Sequence, residues 1–138
     1  MKVKSLDHLH IYSSDPHASA QFYVKHFEAA ELNRDKNRNG DTRIFLALGG
    51  QVVVLGDFPK DSGPKRLPPV VDGAYDVGLG IAHFGLQVDN VKSAAKELRV
   101  AGVDILSEPV TEDSGLSYVY LIAPDGVVVE LTQYGEAQ

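Results

Sequence analysis

The sequence contains no cysteine and no long run of apolar residues. The lack of cysteine excludes disulfides, thiolate metal ligands and cysteine nucleophiles. No stretch approaches the roughly 18 consecutive apolar residues of a membrane helix, and the charged start Met1-Lys2-Val3-Lys4 has no apolar segment of a signal peptide. These absences predict a cytoplasmic protein with no membrane partner.

Positive charge is also scarce, because 13 Lys and Arg residues face 19 Asp and Glu residues and give a net charge of −6. Nucleic-acid binding draws its affinity from clustered Lys and Arg. The only basic cluster, Lys60 with Lys65-Arg66, lies in a segment rich in proline and glycine, so no nucleic-acid partner is predicted. A chain of 138 residues with 43 % apolar content can form one ordinary domain. An enzyme, a small-molecule binder and an adaptor remain possible.

The two halves of the chain resemble each other when the sequence is shifted by 75 positions. The same offset holds from one end of the half to the other, which indicates a duplication. The matched segments are residues 6–11 on 81–86, 44–46 on 119–121, and 52–54 on 127–129.

Each half predicts a strand, a helix and three further strands. Asp15 with Pro16 starts the first helix, predicted over about residues 16–27. Asp89 or Asn90 starts the second helix, and Gly102 ends it. Its apolar stripe is Val91, Ala94, Ala95 and Leu98. The predicted strands are 3–12, 31–35, 42–48 and 51–57 in the first half, and 80–88, 104–108, 117–123 and 127–133 in the second.

This pattern predicts a single α+β domain over residues 1–138, made of two tandem βαβββ modules. Module one covers about residues 1–57, a long connecting loop covers 58–79, and module two covers about 80–138. We expect the modules to form a curled, mixed-sheet cup with the helices on the outside. The turns between the last two strands of each module are predicted at Gly49-Gly50 and Pro124-Asp125-Gly126.

Alternation along the strands places chemically useful side chains on one face of each sheet. Two histidines stand at equivalent positions of the repeat, and Glu130 interrupts a run of valines, where a carboxylate needs a cation or a hydrogen-bond partner. Imidazole and carboxylate are common ligands of divalent metals. We therefore predict a metal site formed by His8, His83 and Glu130, whereas His17 and His26 are interpreted as surface residues. The other polar side chains on this face are His10, Arg43, Tyr118 and Tyr120.

Three segments resemble the vicinal oxygen chelate superfamily: LDHLHI followed by Asp15-Pro16, the restart IAHFGL, and the ending APDGVVVEL. The group includes glyoxalase I, methylmalonyl-CoA epimerase, fosfomycin-resistance enzymes, bleomycin-resistance proteins and extradiol dioxygenases. The resemblance covers nearly the whole chain. It implies paired βαβββ modules, a homodimer, a small-molecule substrate, and a divalent metal (Ni, Zn, Co, Mn or Fe) held by His8, His83 and Glu130. Glyoxalase I has a further carboxylate on the last strand of module one, and the shift of 75 puts Leu55 at that position.

The function predicted from this resemblance is a metal-dependent lyase or isomerase acting on a substrate chelated through adjacent oxygens. His10 and Tyr120 are the predicted catalytic residues, and Arg43, Phe45 and Tyr118 are the predicted substrate contacts. Two alternatives stay open: an extradiol-type ring-cleaving dioxygenase using Fe(II), and a protein that binds a small molecule such as an antibiotic without turnover.

Overall fold

A computed structural model of the chain describes residues 1–60 and 79–136. The chain divides into two compact units, Met1–Lys65 and Arg66–Gln138. The predicted connecting loop over residues 58–79 lies almost entirely outside the described residues. No helix within the described ranges is long and apolar enough to cross a membrane.

The first unit contains a four-stranded mixed sheet and one helix. The strands stand in the order β1-β4-β3-β2. The pair β1–β4 is parallel, and the pairs β3–β4 and β2–β3 are antiparallel. The elements are β1 (His8–Ser13), α1 (Pro16–Phe27), β2 (Ala30–Lys36), β3 (Thr42–Leu48) and β4 (Gln51–Asp57).

The second unit repeats this topology. Its sheet has the order β5-β9-β8-β6, with a short strand β7 also paired to β8, and β5–β9 is again the parallel pair. The elements are β5 (Phe84–Gln87), α2 (Val91–Val100), β6 (Asp104–Ile105), β7 (Val110–Thr111), β8 (Leu116–Ala123), a 3₁₀ turn (Pro124–Gly126) and β9 (Val127–Tyr134). The predicted α+β class with two βαβββ modules is confirmed.

Local signals start and end the helices where the sequence predicts. The Asp15 side chain accepts a hydrogen bond of 3.0 Å from the Ala18 backbone N–H, and Pro16 follows it as the first helical residue. In α2 the cap is Asn90, which accepts from the Ser93 N–H at 2.9 Å. Gly102 leaves the helix at φ +84°, a left-handed conformation that glycine adopts without steric cost.

Each sheet buries one face under its own helix. In the first unit α1 packs on β3 and β4, and in the second α2 packs on β6 and β8. The alternation of the strands then leaves the other face of each sheet, here called the open face, for more polar side chains. The core-facing strand residues are Ile44, Leu46, Val53 and Leu55 in the first unit and Val119, Leu121, Val129 and Leu131 in the second, each at most 1 % exposed.

The first strand of each module starts later than predicted. In module one the partner strand β4 begins at Gln51, and its ladder with β1 starts at the pair His8–Val52. In module two the ladder starts at the pair Phe84–Val129, although β9 already begins at Val127. His8 is therefore the first residue of its strand, and His83 lies one residue before the strand. The expected strand 104–108 is also shorter, ending at residue 105.

The pairing registers correct the repeat alignment at the last strand. Leu9 pairs with Val53 and Phe84 with Val129, so β4 matches β9 with a shift of 76 positions instead of 75. The extra position comes from the turns, since Gly49-Gly50 connects β3 to β4 whereas three residues connect β8 to β9. The prediction that Leu55 corresponds to Glu130 is therefore wrong. The residue at that position is Val54.

Leu55 and Val54 should respond differently to the same substitution. Leu55 is fully buried opposite Ile44 and Ile11, so Leu55→Glu places a charge in the core and should lower the free energy of unfolding by about 4 kcal/mol or more. Val54 is also buried, at 3 % exposed, but it lies opposite His10 in the β1–β4 ladder. We expect a glutamate there to be stabilised by pairing with the imidazole, which Leu55→Glu lacks. Urea denaturation should show a clearly smaller loss for Val54→Glu. An equal loss in both variants would contradict the shift of 76.

Candidate metal and active site

Module two brings two of the predicted metal ligands into contact. His83 Nε2 lies 3.1 Å from Glu130 Oε2, and the two side chains are only 25 % and 18 % exposed. Glu130 occupies the open face of β9, opposite Gly85 in β5 and Tyr120 in β8. The half-buried carboxylate thus has the polar partner that its position between Val129 and Leu131 requires.

Two tyrosines extend this pair along β8. The ring of Tyr120 meets that of His83 edge to face, with 5.2 Å between the centroids, and Tyr118 packs against Tyr120 in the same manner at 5.7 Å. We call His83, Glu130, Tyr118 and Tyr120 the module-two cluster, which combines an imidazole, a carboxylate and two phenols.

The third predicted ligand, His8, stands at the start of β1 in module one. Its Nδ1 lies 2.7 Å from Asp7 Oδ2, and the imidazole is about half exposed at 47 %. A hydrogen bond at Nδ1 leaves Nε2 as the nitrogen with a lone pair, the arrangement found in many histidines that bind metals.

His10 lies on the same open face as His8, two residues further along β1, and rests on a glycine. A Cβ atom added to Gly56 would lie 2.5 Å from His10 Nε2, so the imidazole occupies space that only a glycine leaves free. Tyr12 packs against it, with 4.9 Å between the ring centroids. The pKa of His10 is lowered, mainly because the ring is partly desolvated and to a lesser extent because of the charges of His8 and Arg43. The neutral imidazole favoured at neutral pH is the form that accepts a proton.

Arg43 and Phe45 share the open face of β3. Arg43 Nε and a terminal nitrogen donate to the two carboxylate oxygens of Asp35 at 2.7 and 2.8 Å. This hydrogen bond lowers the pKa of Asp35 and raises that of Arg43. The guanidinium carbon lies 5.6 Å from the centre of the Phe45 ring. The Arg43 guanidinium thus contacts both a carboxylate and an aromatic ring.

The predicted site residues fall into two groups, one on each module. His83, Glu130, Tyr118 and Tyr120 are together in module two, whereas His8, His10, Arg43 and Phe45 lie on module one. Within residues 1–60 and 79–136, no three His, Asp or Glu side chains form a ready metal-binding group. Two imidazoles and one carboxylate are nevertheless a donor set that suits a divalent metal, and the contact between His83 and Glu130 fits that use.

Sequence reasoning missed several residues that hold the predicted site in place. Asp7 contacts His8, and Gly56 makes room for His10, but neither residue type at these positions is a sequence signal. Gln51 is not a sequence signal either, although its side-chain amide donates to the backbone carbonyls just before His8. His17 is exposed and lies 3.0 Å from a guanidinium nitrogen of Arg34.

Comparisons with known proteins agree with this architecture. The family model described as Glyoxalase/Bleomycin resistance protein/Dioxygenase superfamily matches residues 5–131. The glyoxalase domain-containing protein RDO1 of Mycosarcoma maydis is 28 % identical over all of this chain and 73 % of its own length. Glyoxalase I of Saccharomyces cerevisiae is 24 % identical over 94 % of this chain, which spans 44 % of the yeast protein.

A solved structure shows the same fold at low sequence identity. It is a mutant of the fosfomycin resistance protein FosX from Listeria monocytogenes, complexed with Mn(II) and 1S,2S-dihydroxypropylphosphonic acid. Its TM-score is 0.69 at 13 % identity, covering 94 % of this chain and 92 % of that chain.

Replacing Gly56 tests whether the glycine positions His10. Gly56 has no positive φ, so in Gly56→Ala only the imidazole stands in the way of the new methyl group. We expect the ring to move with a stability loss of about 1 kcal/mol or less, and the His10 side-chain resonances in NMR spectra to shift. Gly85→Ala is the matched control, because its Cβ would have only ordinary contacts at 3.8 Å. Unchanged His10 resonances in Gly56→Ala would contradict this role.

Proposed function

The chain belongs to the Glyoxalase/Bleomycin resistance protein/Dioxygenase superfamily, and we propose that it is a metal-dependent lyase or isomerase. Its substrate would be a small molecule that chelates a divalent metal through adjacent oxygens. The family membership supports this proposal, and the proposed reaction rests on the residues of the two open faces.

The contact between His83 and Glu130 is the observation that supports this proposal most directly. An imidazole nitrogen and a carboxylate oxygen lie 3.1 Å apart, and both side chains are largely shielded from water. Imidazole and carboxylate groups are common ligands of divalent cations in proteins.

His8 is the third proposed ligand, because it occupies in module one the position that His83 occupies in module two. Its Nδ1 bond to Asp7 directs Nε2 away as the ligating atom. A metal bound there, whether Ni, Zn, Co, Mn or Fe, would act as a Lewis acid on a substrate oxygen. The Mn(II) in the structure of the Listeria protein is consistent with this expectation.

The proton transfer is assigned to His10. The residue corresponding to Glu130 in module one is Val54, so this chain has no carboxylate there that could also serve as the base. The neighbouring open-face residue is His10, which pairs with Val54 across β1 and β4. Its imidazole is held between Gly56 and Tyr12, which fixes the ring nitrogen that would accept the proton.

The aromatic and cationic residues on the two faces are the proposed substrate contacts. Arg43, fixed by Asp35, can offer its remaining N–H groups to a substrate oxygen, with Phe45 beside it. Tyr118 and Tyr120 offer phenol groups next to Glu130, and Tyr120 is the proposed catalytic partner of His10. We expect the protein to be a cytoplasmic homodimer.

A ring-cleaving dioxygenase is the second candidate, and the position of Tyr120 favours it. Tyr120 lies opposite Glu130 in the ladder and edge-on to His83, where its hydroxyl could steady a bound catecholate. The metal discriminates the two candidates, since iron that is lost or oxidised in air supports the dioxygenase, and Ni, Zn, Co or Mn supports the lyase or isomerase.

Replacing the carboxylate tests the metal site. Glu130→Ala removes the only proposed oxygen ligand and should abolish tight binding of Mn²⁺ or Zn²⁺ in calorimetric titrations, while His83→Ala should weaken it strongly. Glu97→Ala, on the exposed side of α2, is the control and should bind like the unmodified chain. The same stoichiometry and affinity in Glu130→Ala would remove the proposed ligand set.

Replacing His10 tests the division of roles. His10→Ala should keep the metal and lower turnover by about 10²–10⁴-fold, the usual contribution of a general acid or base. The assay uses a panel of small molecules with vicinal oxygens, and His17→Ala is the control. Loss of metal from His10→Ala would make His10 a ligand, and full activity would place the base elsewhere.

A further inference from the structure

The start of β1 is held by a side chain that belongs to another strand. The Nε2 amide of Gln51, the first residue of β4, donates to the backbone carbonyls of Leu6 and Asp7 at 3.1 and 2.9 Å. These two residues lie immediately before His8, outside the backbone ladder, whose first pair is His8–Val52. One side-chain amide thus continues the pairing of β1 with β4 past the point where the backbone pairing stops.

The Gln51 contact lies at the boundary between β1 and a segment without backbone pairing. Residues 1–7 are exposed and form no strand, and segments outside a backbone ladder commonly open locally. His8 is the boundary residue between this segment and the strand. Fixing the carbonyls of Leu6 and Asp7 restricts the backbone on the N-terminal side of His8, and it also places the Asp7 carboxylate that contacts His8 Nδ1.

The second module has no such contact at the equivalent place. With the shifts established above, Gln51 corresponds to Val127 and Asp7 to Ala82, and neither side chain can donate or accept a hydrogen bond. His83 is instead held directly by the Glu130 carboxylate. The contacts described for the two histidines therefore differ, because Glu130 contacts His83 directly whereas Gln51 contacts the backbone next to His8.

We propose that Gln51 is a positioning residue for metal binding, which holds His8 and its partner Asp7 in the arrangement that presents His8 Nε2 as a ligand. The inference rests on the proposed function, because it requires His8 to be a ligand. Residues that orient a metal-binding histidine commonly change metal affinity by about 10–100-fold when they are replaced.

The test compares metal affinity with stability in the full chain. In Gln51→Glu the side chain keeps its size but loses both N–H donors, and in Gln51→Ala the contact is deleted. We expect the dissociation constant for Zn²⁺ or Mn²⁺, measured by calorimetry, to rise about tenfold in both variants, while the urea midpoint of the metal-free protein changes little. Gln21→Ala, an exposed glutamine on α1, is the control and should bind metal normally.

The comparison with His8→Ala separates the role of Gln51 from the proposed metal site itself. If His8→Ala loses metal binding but both Gln51 variants keep it unchanged, the role of Gln51 is wrong and the proposed metal site stands. If His8→Ala also binds metal normally, the proposed ligand set itself is wrong. A weaker affinity that follows a lowered urea midpoint in proportion would assign Gln51 a structural role only and would overturn the inference. The absorption spectrum of the Co²⁺-loaded protein gives an independent readout, because altered His8 ligation changes its intensity even where stability is unchanged.

Discussion

The pairing of β8 with β9 is the constraint on which the candidate site depends. Successive residues of a strand face opposite ways, so burying Val129 and Leu131 in the core forces Glu130 to the open face. The same ladder sets Tyr120 directly opposite that carboxylate. The parallel pairing of β5 with β9 places His83, the residue just before β5, within hydrogen-bond distance of Glu130. The burial of Val129 and Leu131 stabilises this register, and the register in turn keeps the Glu130 carboxylate out of the core.

The two modules share one topology but carry different side chains on their open faces. In module two the open face carries a carboxylate, an imidazole and two phenols. In module one the corresponding position is Val54. The polar side chains of this face are His10, which lies over Gly56, and Arg43, which donates to Asp35. The duplication supplies two equivalent sheets, while the differences between them produce an asymmetric set of functional groups.

Much of this arrangement could be predicted from the sequence, for reasons that individual residues show. Helix α1 begins at Pro16 and ends at Phe27 as predicted, because the Asp15 cap and the proline are local signals. The strand faces followed from alternation. The starts of β1 and β5 did not, because they depend on where pairing between strands begins. The contacts of Gln51 with Leu6 and Asp7 and of Gly56 with His10 were also missed, since they run between strands and no local pattern encodes them. The roles of the eight predicted site residues stay predictions.

The turn between the last two strands has a consequence for how this chain can diverge. Module one makes the connection with two glycines and module two with three residues, Pro124–Gly126, in which Asp125 and Gly126 both have positive φ. The added residue is absorbed in the turn, and the strands on either side keep their facing. The one-residue difference between the two turns therefore changes the numbering offset of the modules without changing which strand residues face the core. A comparison of the two modules without a gap at this turn would align Glu130 with the buried Leu55.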